Sequence, residues 1–400
     1  MVQMAFHSVL FVLAAGGGFY TLFSLFCVIR AGTNHKPALS SPSSLGQGLP
    51  PVSILKPLRG ADYGLKENLA SFCRQDYPGY EVLLGLRSEE DGAYGIAREI
   101  ERMFPEKVRV VAGYEDLGAN GKVSNLYRLS QSARHDLLAI SDSDMKVDGG
   151  YLKTIVSEYI ENENTGLVTS LYRISKPVSA GAAFESLSIA LDFIPSVFVA
   201  RVVERGINFG LGASMLFSRE RFQETGGFRA IADYLADDYQ VGHRLSAKGY
   251  KVVLSRYVME DMEGPMRFWD YIRHQLRWAR TYRVSRPKGY VGYGITHFFA
   301  YCLFLSFFWP GALAFSALAL AFFLRVLGGI AVNRRFIGRT GWSLWLFLLP
   351  VKDLLSFAIW LFSFAGRKVG WRGDVYLVTG TGELRRIRAG GPAGKRRTGR

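Results

Sequence analysis

From about Phe6 to Ile29 the chain carries almost no charge. No other feature constrains the fold as strongly, because the run is long enough for the roughly 20 residues that a membrane-spanning helix needs. A cleavable signal peptide is the rival reading. It requires a basic start, a shorter apolar core and a small-residue cleavage site, and the sequence offers none of these clearly, so an uncleaved anchor is expected. Arg30, His35 and Lys36 follow the run and no Lys or Arg precedes it. Positive charge collects on the cytosolic side of spans, which places the domain that follows in the cytosol.

A second apolar region runs from about Ile295 to Val332, interrupted by Pro310-Gly311 and Arg325. It reads as one long tilted span or as a hairpin of two short ones turning at the Pro-Gly pair. The hairpin is expected, because it returns Asn333-Arg334-Arg335 to the cytosol. The last apolar segment, Trp342 to Ala365, is broken by Pro350, Lys352 and Asp353. An ionisable pair at membrane depth is costly, so this piece reads as re-entrant or interfacial as readily as a clean span.

Charged residues still make up 21% of the 400, which excludes a wholly membrane-buried protein. The net charge of +15 lies largely beside apolar segments, at Arg267, Arg273, Arg277, Arg280, Arg283, Arg286 and Lys288, and again near Arg334 and in the tail. That placement suits anionic lipid headgroups, and no recognition motif accompanies it, so nucleic acid is not an expected partner. Cys27 and Cys302 lie in apolar runs and Cys73 in the soluble part, with no metal-ligand spacing. Disulfides and zinc are not expected, and a reducing cytosolic domain is the simplest reading.

Between the apolar regions, a stretch rich in Pro, Ser and Gly from Asn34 to Pro51 reads as a flexible linker. From Val52 short β-branched runs alternate with amphipathic ones, the pattern of βαβ units and a parallel sheet. Strands are expected at Val52 to Leu55, Glu81 to Leu86, Val108 to Ala112 and Leu137 to Ser141, and helices at about Leu65 to Cys73, Tyr94 to Met103 and Lys122 to Ala133. Ligands of such sheets bind at the carboxyl ends of the strands, where Glu89-Glu90-Asp91 and Asp142-Ser143-Asp144 fall.

Two carboxylates one residue apart at a strand end, Asp142 and Asp144, suit a hard divalent cation, Mg²⁺ or Mn²⁺, that also bridges a diphosphate. Asp237-Asp238 opens a helix running to about Lys248. Acidic residues there serve as caps, or one serves as a general base, for which Asp238 is the candidate. In the basic segment Pro265 to Arg286, Arg277 is placed to pair with phosphate oxygens and Trp278 to stack on sugar or acceptor, on a helix suited to lie on a membrane. Lys122 and Asn125, after a Gly-rich loop, and Gly210-Leu-Gly-Ala-Ser214 admit donor contact or plain turn chemistry. Leu187 to Val203, with Phe193 and Phe198, is apolar enough to line the path of a lipid acceptor.

As an ordered set, Val52-Ser-Ile-Leu-Lys-Pro-Leu-Arg-Gly60, Gln75-Asp-Tyr-Pro78, Tyr80-Glu-Val-Leu-Leu84, Asp142-Ser-Asp144, Ala236-Asp-Asp238-Tyr and Arg277-Trp278 resemble inverting glycosyltransferases of family 2/21 type, and in particular the ceramide glucosyltransferase family. Where that family carries Gln or Arg four residues before the Trp, this chain has His274. The resemblance implies an α/β fold with a GT-A-like nucleotide-sugar-binding domain, one N-terminal and two or three C-terminal membrane segments. It implies that Asp91 and Asp142 contact the nucleotide and its metal, that Asp238 is the base, and that Arg277-Trp278 closes the donor site. Gly166-Leu-Val-Thr-Ser-Leu-Tyr172 and Leu276 to Arg283 are similar to a bacterial, hopanoid-pathway branch, implying an N-acetylglucosamine donor and an inner-membrane location.

The expected organisation is therefore an anchor over 1–30, a linker over 31–50, the GT-A domain over 51–262, a basic interfacial helix over 263–290, membrane segments over 291–366 and a basic tail over 367–400. The expected partners are UDP-glucose or UDP-N-acetylglucosamine and a ceramide-like or hopanoid lipid. A processive polysaccharide synthase would need more spans to form a channel, and a non-catalytic lipid-binding protein would not need its carboxylates.

Overall fold

The computed structural model describes residues 2–33, 48–338, 342–371 and 374–388. Residues 34–47 of the expected linker and the tail beyond 388 lie outside the described residues. The chain divides into two compact units that are not contiguous in sequence.

The first unit is built on an eight-stranded mixed sheet. Its strands are β1 (Val52–Pro57), β2 (Tyr80–Leu86), β3 (Val108–Ala112), β4 (Leu137–Ile140), β5 (Met145–Lys146), β6 (Thr165–Arg173), β7 (Met215–Ser218) and β8 (Lys251–Asp261), in the order β3-β2-β1-β4-β7-β6-β8-β5. β1 pairs in parallel with β2 and β4, and β2 with β3. β1 and β2 are buried at every position, as parallel strands covered on both faces must be, which explains why they are predominantly apolar, with the buried Ser53 and Glu81 bonded to each other at 2.7 Å. Helices Leu65–Phe72, Tyr94–Met103 and Gly121–Ser132 make the crossovers, within a residue or so of the expected spans. Beyond β4 the sheet turns antiparallel through β7 and β6.

After Gly366 the chain returns to this unit as a three-stranded antiparallel sheet of β9 (Lys368–Trp371), β10 (Asp374–Val378) and β11 (Leu384–Arg388). This differs from the expected tail from 367. Arg385, Arg386 and Arg388 stand on a strand, and Arg386 is bonded to Asp374 at 2.9 Å.

The second unit is helical and contains the amino-terminal helix Val2–Thr33, residues 172–207 and residues 263–365. Four helical stretches among the described residues are long and apolar enough to cross a membrane: Ala5–Ala31, Ala180–Val203, Ala312–Ile337 and Trp345–Ser363. Pro287–Thr296 and Phe298–Phe308 form a further pair bent by 51°. The chain is a membrane protein with one such helix at its amino end. Helices Phe298–Phe308 and Ala312–Val332 pack together around a break that contains Pro310-Gly311, as the hairpin reading required. Against them the first helix approaches closely: a Cβ at Gly17 would sit 2.9 Å from the Phe298 Cβ and from the Ile295 carbonyl oxygen, contacts only glycine permits.

Ala180–Val203 differs from expectation. Although it falls inside the stretch 51–262, it belongs with the helical unit. A π-helical turn, Ile189–Phe193, interrupts it and carries Asp192. Asp192 explains how Lys352 and Asp353 are tolerated. Arg325 donates to Asp192 at 2.8 Å and to both Asp353 oxygens at 2.5 and 2.9 Å, and Lys352, fully buried, is paired with Asp192 and lies 3.3 Å from Asp353. Each charge is met by its opposite, so the ionisable pair that made Trp342 to Ala365 look unfit for the interior is compensated there.

Candidate active site

The carboxyl ends of β1, β2 and β4 carry the site. Asp142, Ser143 and Asp144 follow β4 in a turn closed by the Met145 N–H donating to the Asp142 carbonyl at 3.3 Å; Ser143 is buried there and both aspartates are half-buried. Ser143 Oγ donates to Asp62 at 2.6 Å and the Ser143 carbonyl accepts from Asn68, which fixes the turn from behind.

Lys122 enters from the helix Gly121–Ser132. Asn120 caps that helix, its side-chain oxygen accepting from the Lys122 and Val123 N–H groups at 2.9 and 3.2 Å. The Lys122 ammonium reaches Asp142 Oδ1 at 2.7 Å and Asp237 Oδ2 at 3.3 Å. Burial pulls its pKa down, but Asp142, Asp237 and Asp238 together outweigh that and raise it, so Lys122 is a permanent cation.

Asp237 and Asp238 open the helix Asp237–Ala247. Asp238 Oδ2 accepts from the Gly212 N–H at 2.9 Å and Oδ1 from the Tyr239 N–H at 2.8 Å, so the carboxylate is aimed by backbone. Gly212 lies at the centre of the group. A Cβ there would stand 3.0 Å from Asp142 Oδ2, 3.3 Å from Asp238 Oδ2 and 3.6 Å from Lys122 Nζ, which gives the Gly-Leu-Gly-Ala-Ser loop a reason for its small residue. Burial first, and then the neighbouring Asp237, push the Asp238 carboxyl up to about 6. Asp237 is raised as well, chiefly by burial. A carboxylate with a pKa near 6 is ionised at neutral pH yet basic enough to accept a proton.

Lys56 is a site residue that the sequence reading did not single out. It is fully buried in β1, lies 3.8 Å over the Phe72 ring, and donates to the Asp142 carbonyl oxygen and to Ser141 Oγ at 3.3 Å. Burial lowers its pKa to about 7 against the pull of Asp144 and Asp142. The available signal was a lysine inside a short, fully buried strand whose only other polar residue is Ser53.

The other expected residues are distributed as follows. Asp91 sits in the turn after β2, where its Oδ1 accepts from the Gly60 and Ala93 N–H groups at 2.8 and 2.9 Å and so shapes the loop after β1. Asn125 is buried beneath β2 with its amide donating to the Gly85 carbonyl at 2.9 Å, an anchor of helix to strand rather than a group presented to a ligand. Arg277 and Trp278 belong to the helical unit, on the helix Phe268–Ser285. Trp278 meets Phe193, Tyr172 and His274 with ring centroids 6.2, 6.4 and 5.0 Å apart, and His274 lies 3.4 Å from the buried Glu185. Phe198, expected on the acceptor path with Phe193, is instead buried and stacked on Phe336 at 5.1 Å. A side chain so enclosed packs as core.

Among the described residues no three His, Cys, Asp or Glu side chains converge on one metal position. Mg²⁺ and Mn²⁺ at phosphate-transfer sites are commonly held by one or two carboxylates and completed by substrate phosphates and water. The Asp142-Asp144 pair of hard oxygen donors fits that pattern.

A mixed sheet with carboxylates and a lysine gathered at its strand ends, in a chain with membrane-length helices, defines a membrane protein with a GT-A-like domain. The chain belongs to glycosyl transferase family 21, whose family match runs over residues 9–384. It is 26% identical to ceramide glucosyltransferase 1 of Caenorhabditis elegans over 83% of this chain and 65% of that protein, and 26% identical to ceramide glucosyltransferase 3 of the same organism over 68% and 59%. The chain thus spans about three fifths of the length of these relatives. A solved structure, the mannosyltransferase PcManGT from Pyrobaculum calidifontis in complex with GDP-Man and Mn²⁺, superimposes with a TM-score of 0.48 at 16% identity, covering 88% of this chain and 99% of that one, too loosely to transfer residues.

Proposed function

We propose that this protein is an inverting glycosyltransferase that moves a sugar from a UDP-sugar to a lipid hydroxyl at the cytosolic face of a membrane. The observation that carries the reading is Asp238, aimed by the Gly212 and Tyr239 N–H groups, raised to a pKa of about 6, and set beside the Asp142–Lys122 pair.

In the reaction Asp238 takes the proton from the acceptor hydroxyl as that oxygen attacks the anomeric carbon from the face opposite the leaving group. The new C–O bond forms as the bond to the diphosphate breaks, so configuration inverts in one step. Lys122 holds Asp142 in place and offers positive charge to the departing phosphates. A divalent cation on Asp142 and Asp144 would supply further charge neutralisation to the same leaving group. Asp91 shapes the loop that meets the nucleotide.

The names of the relatives favour glucose and a ceramide-like acceptor, whereas the Gly166–Tyr172 and Leu276–Arg283 motifs favour N-acetylglucosamine and a hopanoid in a bacterial inner membrane. Cytosolic orientation rests on Arg30 and Lys36 after the first span and on the Arg334-Arg335 pair. Phe193, beside Trp278, is the proposed contact for the acceptor's apolar chain. The test is transfer by the purified full chain from UDP-glucose and UDP-N-acetylglucosamine to extracted lipid, read by mass spectrometry. A lipid product that disappears in excess chelator and returns with Mg²⁺ or Mn²⁺ is expected, and full activity in chelator overturns the metal assignment.

A further inference from the structure

The chain returns to the sheet-containing unit after the membrane helices, and the manner of its return is specific. β11 and the turn before it bond to the segment Asp233–Leu235: the Leu384 N–H donates to the Asp233 carbonyl at 2.6 Å and the Leu235 N–H to the Gly382 carbonyl at 3.2 Å. That segment runs directly into Asp237-Asp238, and the Asp233 carboxylate also accepts from the Ala119 N–H at 2.7 Å, in the loop that precedes Lys122. The small sheet is therefore fastened to the backbone that sets both the proposed base and the lysine.

Its side chains reach the other side of the same strand ends. Asp374, 3% exposed, accepts from Arg386 at 2.9 Å, from Arg59 at 3.3 Å and from the Tyr376 hydroxyl at 3.1 Å. Arg59 lies in the loop after β1, next to Gly60, whose N–H is held by Asp91. The Arg59 and Arg386 side chains remain 45% and 43% exposed although their shared carboxylate is buried. Burial raises the Tyr114 hydroxyl pKa while Arg87 and Arg59 oppose it and Asp91 adds to it, so these groups share one neighbourhood. A buried carboxylate that orients two half-exposed arginines is an arrangement for presenting their forks to an anion, and arginine is the side chain whose fork matches phosphate oxygens.

We propose that the three-stranded carboxy-terminal sheet is one wall of the donor site, in which Asp374 positions Arg386 and Arg59 to contact the anionic nucleoside diphosphate. This rests on the UDP-sugar reading above. In it Arg386 touches the ligand and Asp374 acts through the arginines.

The experiment uses the full-length protein in detergent with UDP and Mn²⁺ as the probe. Arg386→Ala is expected to weaken UDP binding and raise the donor KM about tenfold, the loss of roughly one charge-assisted hydrogen bond, with the acceptor KM unchanged. Arg386→Lys keeps the charge without the fork and should recover part of the loss. Asp374→Asn should raise the donor KM as well. If Arg386→Ala does not fold, hydrogen exchange of residues 384–388 in the unmodified protein replaces it, and UDP should slow that exchange. A sheet that merely braces the fold gives a lower melting temperature with unchanged UDP affinity, and that result overturns the proposal, as does exchange indifferent to UDP. An unmodified protein that does not bind UDP overturns the UDP-sugar reading itself, whereas binding that Arg386→Ala leaves intact overturns this inference alone.

Discussion

The two units each bury a group of charged side chains, and the groups are built on opposite plans. In the helical unit Arg325 and Lys352 are set against Asp192 and Asp353, positive for negative. In the sheet-containing unit Asp142, Asp144, Asp237 and Asp238 are set against Lys122 and a Lys56 whose pKa has fallen to about 7. Buried charge is tolerable when it is paired, and removing one partner is strongly destabilising. The balanced cluster therefore fastens helices together. The unbalanced one retains excess negative charge, and a fold keeps such an excess where a cation or a proton is to be received. On the function proposed above, the balanced cluster is structural and the unbalanced one carries the chemistry.

Substitutions that separate the two roles break or sharpen this contrast. The largest effect is expected from Asp238→Asn, which preserves shape and removes basicity. Turnover should fall by roughly 10²–10⁴-fold while UDP binding survives, and the melting temperature should drop only by the loss of one of the two backbone N–H bonds that the carboxylate accepts. If turnover is unchanged, the base lies elsewhere and Asp237 is the next candidate.

Asp353→Asn in the balanced cluster should do the reverse. It leaves Arg325 and Lys352 under-compensated, at a cost of about 3–5 kcal/mol in unfolding measurements. Turnover per folded molecule should hold. A stable Asp353→Asn protein with lost turnover would show that the helical cluster takes part in the chemistry.

A smaller effect separates two phenylalanines of one helix. Phe193→Ser should reduce transfer to a membrane-embedded long-chain acceptor about tenfold relative to a short soluble analogue, equivalent to about 1.4 kcal/mol. Phe198→Ser should lower stability and treat both acceptors alike. If Phe193→Ser also treats them alike, Phe193 is core, as Phe198 is.

The difference between those residues marks where the sequence stopped being legible. Apolar runs, strand ends and the Asp142-Ser-Asp144 turn could be read because they are local: burial on both faces makes β1 and β2 predominantly apolar, and the turn that carries both aspartates follows β4 directly. The π-turn Ile189–Phe193 adds a residue to the helical repeat, so the faces on which Phe193 and Phe198 fall cannot be counted from the sequence. Charge partners were hidden by distance along the chain. Arg325 finds Asp192 across 133 residues, so Lys352 and Asp353 looked isolated in a sequence that holds their compensation far away. Gly212 was visible as part of a small-residue loop, but its role as the donor that aims Asp238 depends on a contact across 26 residues. The carboxy-terminal strands were obscured by their arginines, which read as a tail because Asp374 had no visible connection to Arg59.

The central claim is that the unbalanced cluster receives the acceptor's proton, and the pH dependence of turnover tests it most directly. Asp238 is raised to about 6, so it is the ionised base above that pH and is protonated below it. UDP release by the full-length protein, at saturating donor and lipid, should be flat near neutrality and fall about tenfold per pH unit on the acid side of a midpoint near 6. Asp238→Asn should remove that limb along with most of the rate. An acid limb that survives in Asp238→Asn at an undiminished rate would contradict the account.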